Sequence, residues 1–351
     1  MTPPSTVEPL SYDAASAREA LGPDWKELLR TALRWMVLGR TLDARMQALQ
    51  RQGRVGFYGA ATGHEAVNVA AGLASGPGDW VFPGLREQLV ALVRGHDLGT
   101  YAHHLFADAR DPALGRNMPC HPTAREVHYV SMSSVIGTQI SQATGFAYAL
   151  RMKGEGNAVL AFFGDGATSS NDFHAGLNFA GVFRLPVVFC CANNQWAISV
   201  PVSRQTASGT LASKASAYGL PGRQVDGTDF IATFRELTTA LRLARSGEGP
   251  SVLEFVVYRM TPHSSSDDPT RYQPADWMGR AARHDPVGRL EHWLRTQRVV
   301  TEQEKAEWDA DADRTVRAAI ATAEATPPPA DETVTEDVYA RRAYAPTNPG
   351  G

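Results

Sequence analysis

The chain has 351 residues, with 34 Lys and Arg against 37 Asp and Glu and a formal charge of −3. That balance, with the basic residues scattered, gives no face for nucleic acid, and no apolar run reaches the roughly 18 residues needed to span a bilayer. Cys120, Cys190 and Cys191 have no metal spacing, and the N-terminal MTPPSTVEPLSYDAAS has neither a signal core nor an arginine-rich transit pattern. A reduced, cytoplasmic protein is therefore expected.

Residues 1–20 are polar and proline-bearing and read as a flexible arm. Trp25 to Gln52 has helical periodicity and stops at Gly53; the glycine-rich turn RQGRVGFY follows. Glu65 to Ala74 reads as a small-residue helix, Asp79 to Phe82 as a short strand leading into Gly84-Leu85-Arg86-Glu87, and Asp108 to His128 as loop. Gly137 to Leu150 reads as a second helix rich in small residues. Both small-residue helices are candidates for close packing between subunits. Val159–Phe163 and Val187–Ala192 are short apolar runs that suit buried parallel strands, with helical spacing from Asp172 to Phe183 between them. Adjacent residues of a strand face opposite ways, so Cys190 and Cys191 should not bridge. Thr228 or Asp229 can cap a helix carrying Phe230, Phe234, Leu237, Leu241 and Ala244 on one face. Val252–Val257 is a further strand, followed by a polar loop from Thr261 to Tyr272. Two helices, Pro286–Gln297 and Glu302–Ala325, close the domain, the second opened by a Thr301/Glu304 capping box. Residues 326–351 are proline-rich, an extended tail. Alternating strands and helices across 21–325 indicate one α/β domain.

The chemistry concentrates where two strands end. Gly164-Asp165-Gly166 is followed, after twenty-six residues, by Asn193-Asn194. In a βαβ unit both clusters sit just past a strand's carboxyl end, where doubly wound sheets bind ligands. Asp165 and Asn194 offer the hard oxygens that magnesium selects alongside phosphate, and the glycines let backbone approach a diphosphate. A nicotinamide fingerprint is excluded, because Ser169 stands where its third glycine belongs.

This pairing is the signature of thiamine diphosphate enzymes. From Arg51 to Tyr339 the chain resembles the alpha subunit of 2-oxo acid dehydrogenases, through RQGRVGFY, FPGLRE, NMPCHP, SSVIGTQISQATG, GDGATSS, NNQWAIS, HSSSDDPTRY and EDVY in family order. The blend of NMPCHP, SSVIGTQ and NNQWAIS is more similar to the branched-chain (2-oxoisovalerate) branch than to the pyruvate branch. The resemblance implies a thiamine-diphosphate-binding fold, a mostly parallel doubly wound sheet with helices on both faces. It implies oxidative decarboxylation of a 2-oxo acid, with the acyl group passed to the lipoyl group of an acyltransferase component. It also implies a beta subunit in an α₂β₂ heterotetramer, because the alpha chain binds only the diphosphate end of the cofactor.

Residue by residue, the resemblance assigns magnesium to Asp165, Asn194 and the carbonyl of Trp196, where relatives usually have Tyr. The cofactor falls to Arg86, Ser134, Ile136, Gly164, Gly166, Ala167, Thr168, Ser169, Ala197 and His263, with His263 as the catalytic histidine. Phe57, Leu85, Met118, His121 and Ser134 fall near the substrate, and Ser133, Thr138 and Gln139 at a potassium site. Ser264 stands where eukaryotic relatives are phosphorylated. Leu85 replaces a usual Tyr, which removes a hydroxyl and volume and so favours an apolar, branched acyl group. The alternatives carried forward are a pyruvate dehydrogenase alpha subunit and a catalytically impaired scaffold.

Overall fold

The computed structural model describes residues 8–336. Its centre is a parallel sheet. The strands are β1 (Trp80–Phe82), β2 (Val159–Gly164), β3 (Val187–Asn193), a small antiparallel hairpin β4 (Trp196–Ala197) and β5 (Val200–Pro201), then β6 (Gly222–Asp226) and β7 (Ser251–Val256). The sheet order is β1-β2-β3-β7-β6, every pairing parallel, with Gly164 opposite Ala192 and Asn193 opposite Val256. β2 and β3 are apolar at nearly every position because both faces of a parallel sheet are covered. Cys190 packs into one apolar layer and Cys191 into the other. β6 is an edge strand in which only Val225 is buried.

The helices are α1 (Ala14–Leu21), α2 (Trp25–Arg51), α3 (Glu65–Ala74), α4 (Gln88–Val93), α5 (Leu98–Phe106), α6 (Thr138–Lys153), α7 (Asn171–Val182), α8 (Phe230–Arg245), α9 (Trp277–Arg283), α10 (Pro286–Thr296) and α11 (Glu302–Glu324). Leu33, Met36, Val67, Ala70, Leu237 and Leu241 from α2, α3 and α8 fill one layer against the sheet; Ile140, Ala143, Phe173 and Leu177 from α6 and α7 fill the other. Asp229 caps α8 by accepting from the amides of Ile231 and Ala232. Among the described residues no helix is long and apolar enough to cross a membrane.

Three expectations change. The polar N-terminal stretch is not loose from residue 8 on. Asp13 and Ser16 form a reciprocal capping box for α1, Leu10 and Ala17 are buried, and Arg289 donates to the carbonyls of Glu8 and Pro9. Tertiary contacts there outweigh a weak local pattern; the first seven residues lie outside those described. Of the tail, 326–336 contains a short 3₁₀ turn, Asp331–Thr335, and lies along the 107–116 loop, with Ala109 N donating to Pro327 O at 2.9 Å. The remainder, including most of EDVY, is outside the described residues. Finally, α3 is not a subunit-facing helix. Its residues Glu65 to Gly72 are all buried within this chain, where the small side chains let it lie against α2, α4 and α8.

Gly63 shows why the chain turns into α3 as it does. Its φ is +98°, and a Cβ there would lie 1.8 Å from the carbonyl oxygen of Tyr258. Only glycine fits, and the close approach sets His64 beside the chain that leaves β7.

Candidate active site

The carboxyl ends of β1, β2, β3 and β7 deliver Arg86, Asp165, Asn194 and the Arg259–His263 segment to one edge of the sheet. This is the position at which doubly wound sheets hold ligands. Asp165 opens a 3₁₀ turn, Asp165–Ser169, and is 1% exposed. The turn separates Gly164-Asp165-Gly166 from the first turn of α7, whose cap is Ser170 donating no amide to the cluster but accepting from Phe173 N. One 3₁₀ turn thus separates the glycines from the start of α7.

Burial holds the Asp165 carboxyl above its ordinary pKa, while the Gln205 amide and the field of Arg259 oppose the shift. Gln205 Nε2 donates to Asp165 Oδ2 at 2.5 Å. Asn194 is buried, and its Oδ1 accepts from Trp196 N at 3.2 Å, an Asx turn at the start of the β4–β5 hairpin. The Trp196 indole packs near the rings of Tyr272 (5.5 Å) and Trp277 (5.8 Å). Gly166 is needed because a Cβ would come within 2.9 Å of the Ala197 Cβ; at Gly164 the same position meets nothing within 4 Å. Thr168 donates to Asp165 O, and Lys214 Nζ donates to Thr168 Oγ1 at 2.9 Å. Asn193 serves the scaffold, donating to Glu254 Oε1 at 2.8 Å.

The donors at this end fit magnesium: one carboxylate, one amide oxygen and a nearby backbone carbonyl, with open space over Gly164 for phosphate. Among the described residues no three His, Cys, Asp or Glu side chains converge as a metal cluster. A cation here would rest on a single carboxylate and depend on ligand phosphates for the rest of its charge.

Two buried guanidiniums stand at the same end of the sheet. Arg86, which the resemblance assigns to the cofactor, is 5% exposed and already donates Nη1 to Ala60 O and Nη2 to His263 O at 2.7 Å. Arg259, which the sequence reading passed over, is 1% exposed and donates Nη2 to Tyr272 OH at 2.7 Å and to Ile198 O at 3.1 Å. Among the described residues its Nε and Nη1 have no hydrogen-bond partner, nor do the two ring nitrogens of buried His64. Burial and the two guanidiniums keep His64 far below its ordinary pKa and pull His263 down to about 4. The nearby carboxyls Asp43 and Glu87 are pushed up by burial, to about 6 and about 7. Two fixed positive charges among groups biased toward neutrality suit a polyanion.

Asp267 holds the His263 loop by accepting from His263 N at 2.8 Å and from Tyr272 OH at 2.5 Å. Arg259 Nη2 stands 4.0 Å from the same carboxylate. His263 Nδ1 lies 3.4 Å from Arg86 Nη2.

The proposed substrate residues gather nearby. His121 Nε2 pairs with Ser134 Oγ, and its ring lies 6.4 Å from Phe57. The neighbouring Ser264 lines a cavity with Tyr58, Ala60, Gln47, Arg51 and Asp267. Leu85 lies against Gly59. Met118 is 46% exposed, and Ile136 65%, so this side is open. Gln139 donates to Phe162 O at 2.9 Å, and its buried Oε1 has no hydrogen-bond partner among the described residues. Arg259 could have been found from its position just past a buried strand. His64 and Gln205 carry no such signal.

Residues 33–332 match the family model described as the dehydrogenase E1 component, and the chain belongs to that family. It is similar to the 3-methyl-2-oxobutanoate dehydrogenase alpha subunit of Mycobacterium tuberculosis, 42% identical over 280 residues, covering 78% of this chain and 73% of the relative. It is also similar to alpha subunit 2 of the mitochondrial 2-oxoisovalerate dehydrogenase of Arabidopsis thaliana, 37% identical over 307 residues (87% of this chain). The match spans 65% of that relative's length, just under two thirds. The human mitochondrial 2-oxoisovalerate dehydrogenase alpha subunit is 35% identical over 315 residues, covering 90% of this chain and 71% of the relative.

Proposed function

We propose that this chain is the alpha subunit of a thiamine-diphosphate-dependent 2-oxo acid dehydrogenase acting on branched-chain substrates with a beta subunit. The observation that carries the cofactor reading is the gathering of buried Asp165 with two buried guanidiniums, Arg86 and Arg259, past the carboxyl ends of the parallel strands. The names of the relatives support the branched-chain substrate over pyruvate.

Asp165, Asn194 and the Trp196 carbonyl would hold magnesium, and the 164–169 backbone would line the diphosphate opposite Arg86. Thiamine diphosphate, when bound, supplies the electron sink for decarboxylation. His263 would enter the reaction as a neutral imidazole, since its pKa is held at about 4. Phe57, Leu85, Met118 and the His121–Ser134 pair form the wall met by the acyl group. The acyl group then goes to the lipoyl arm of an acyltransferase partner. Ser133, Thr138 and Gln139 would hold potassium.

The test is a steady-state comparison on the full chain reconstituted with its beta partner. 2-Oxoisovalerate should exceed pyruvate in kcat/KM by roughly 10–200-fold, the worth of small apolar differences in such a pocket. If pyruvate wins, the assignment moves to the pyruvate branch. If no thiamine diphosphate binds, the chain is a scaffold.

A further inference from the structure

Gln205 follows the short 3₁₀ turn Val202–Arg204 and reaches across 40 positions of sequence to Asp165. Both hydrogens of its amide are committed, one to Asp165 Oδ2 at 2.5 Å and one to Val200 O at 2.9 Å. Two acceptors on the same nitrogen settle which way the amide faces. Its Oε1 is buried and has no hydrogen-bond partner among the described residues. No ligand is needed to explain the hairpin's shape, yet the side chain is spent on one oxygen of the carboxylate nearest the proposed cation.

The type of donor matters. A Lys or Arg in this place would neutralise Asp165 and compete with a cation. A neutral amide holds the carboxylate still and leaves its charge available. It also takes a lone-pair site on Oδ2, which leaves Oδ1 the less encumbered oxygen and disfavours binding a metal through both. Magnesium demands near-octahedral geometry and takes few carboxylate oxygens, whereas calcium readily accepts both oxygens of one carboxylate.

We infer that Gln205 is a positioning residue that makes Asp165 a one-oxygen ligand and thereby biases the site toward magnesium over calcium. The inference rests on the cofactor reading above. It adds a residue that touches neither the cofactor nor the metal in that reading.

The experiment titrates thiamine diphosphate into the full chain assembled with its beta partner, by calorimetry, with Mg²⁺ or Ca²⁺ as the sole divalent ion. Gln205→Met keeps the length of the side chain and removes the amide. It should weaken Mg²⁺-supported binding by about 10- to 100-fold, the usual effect of removing a group that orients a metal ligand. Ca²⁺-supported binding should fall less, so the Mg²⁺-to-Ca²⁺ preference drops. If that variant does not fold, Gln205→Glu, near-isosteric and unable to donate when ionised, should show the same drop in preference. Equal losses with both ions, or an unchanged preference, would overturn the inference and leave Gln205 a packing residue. Wild-type protein that binds thiamine diphosphate without any divalent ion would overturn both this inference and the magnesium assignment. Divalent-dependent binding in the wild type with no change in either variant would overturn this inference alone.

Discussion

His263 is uncharged at neutral pH because burial and the two guanidiniums of Arg86 and Arg259 hold its pKa at about 4, against 6.5 in an unfolded chain. Between those values the unfolded chain binds a proton that the native protein does not, so this group makes stability fall as the pH drops from 6.5 toward 4. Above pH 6.5 both states are neutral there and the contribution is flat. Buried His64 acts in the same direction; Asp43 and Glu87, whose pKa values are raised, act in the opposite one, losing stability as the pH rises through about 6 and about 7. His263→Gln should therefore gain relative to wild type in urea midpoint between pH 7.5 and pH 4.5, by an amount reduced by the partial exposure of the ring. Parallel wild-type and variant curves would mean that the native imidazole titrates normally. The residues visible in the sequence were those with a motif around them: Asp165, Asn194, Arg86 and His263. Arg259, His64 and Gln205 matter through neighbours brought from distant segments, and no local pattern marks them.

Among the elements, the junction before α3 is the most constrained. Gly63→Ala forces a Cβ into the Tyr258 carbonyl at a φ that L side chains rarely adopt, and should cost roughly 3 kcal/mol or more by urea denaturation. Gly56→Ala, where a Cβ meets nothing within 4 Å and φ is not positive, is the control and should stay within about 0.5 kcal/mol of wild type. Equal effects at the two positions would mean that the backbone at Gly63 gives way easily. The long helices and central strands were legible because their periodicity is long or their apolar runs are unbroken, as in α2, α11, β2 and β3. The misses were short or polar. α4 spans six residues, and β6 reads Gly-Arg-Gln-Val-Asp because an edge strand needs only one buried side chain. The turn Asp165–Ser169 was hidden by Ser170, which starts α7 late by capping it.

At the scale of the whole molecule, the site is built on one side only. The diphosphate end has buried charges and a closed backbone, but Val135 and Ile136 are each 65% exposed beside the His121–Ser134 pair. On the same layer Tyr148, Met152, Phe179, Val182 and Phe183 are also exposed, with Tyr148 and Phe183 in edge contact at 5.1 Å. A single apolar residue on a surface needs no explanation, but a group of this kind marks a surface that another chain covers. The proposed decarboxylation would also need water kept from the reacting carbon, which a site open along this side does not achieve. The purified chain should accordingly show no turnover of 2-oxoisovalerate alone and gain it on addition of a beta subunit. Light scattering should then give the mass of an α₂β₂ assembly. Turnover by the isolated chain at the rate of the mixture would place the whole active site within these 351 residues. Activity gained with a 1:1 mass would keep the shared site and remove the heterotetramer.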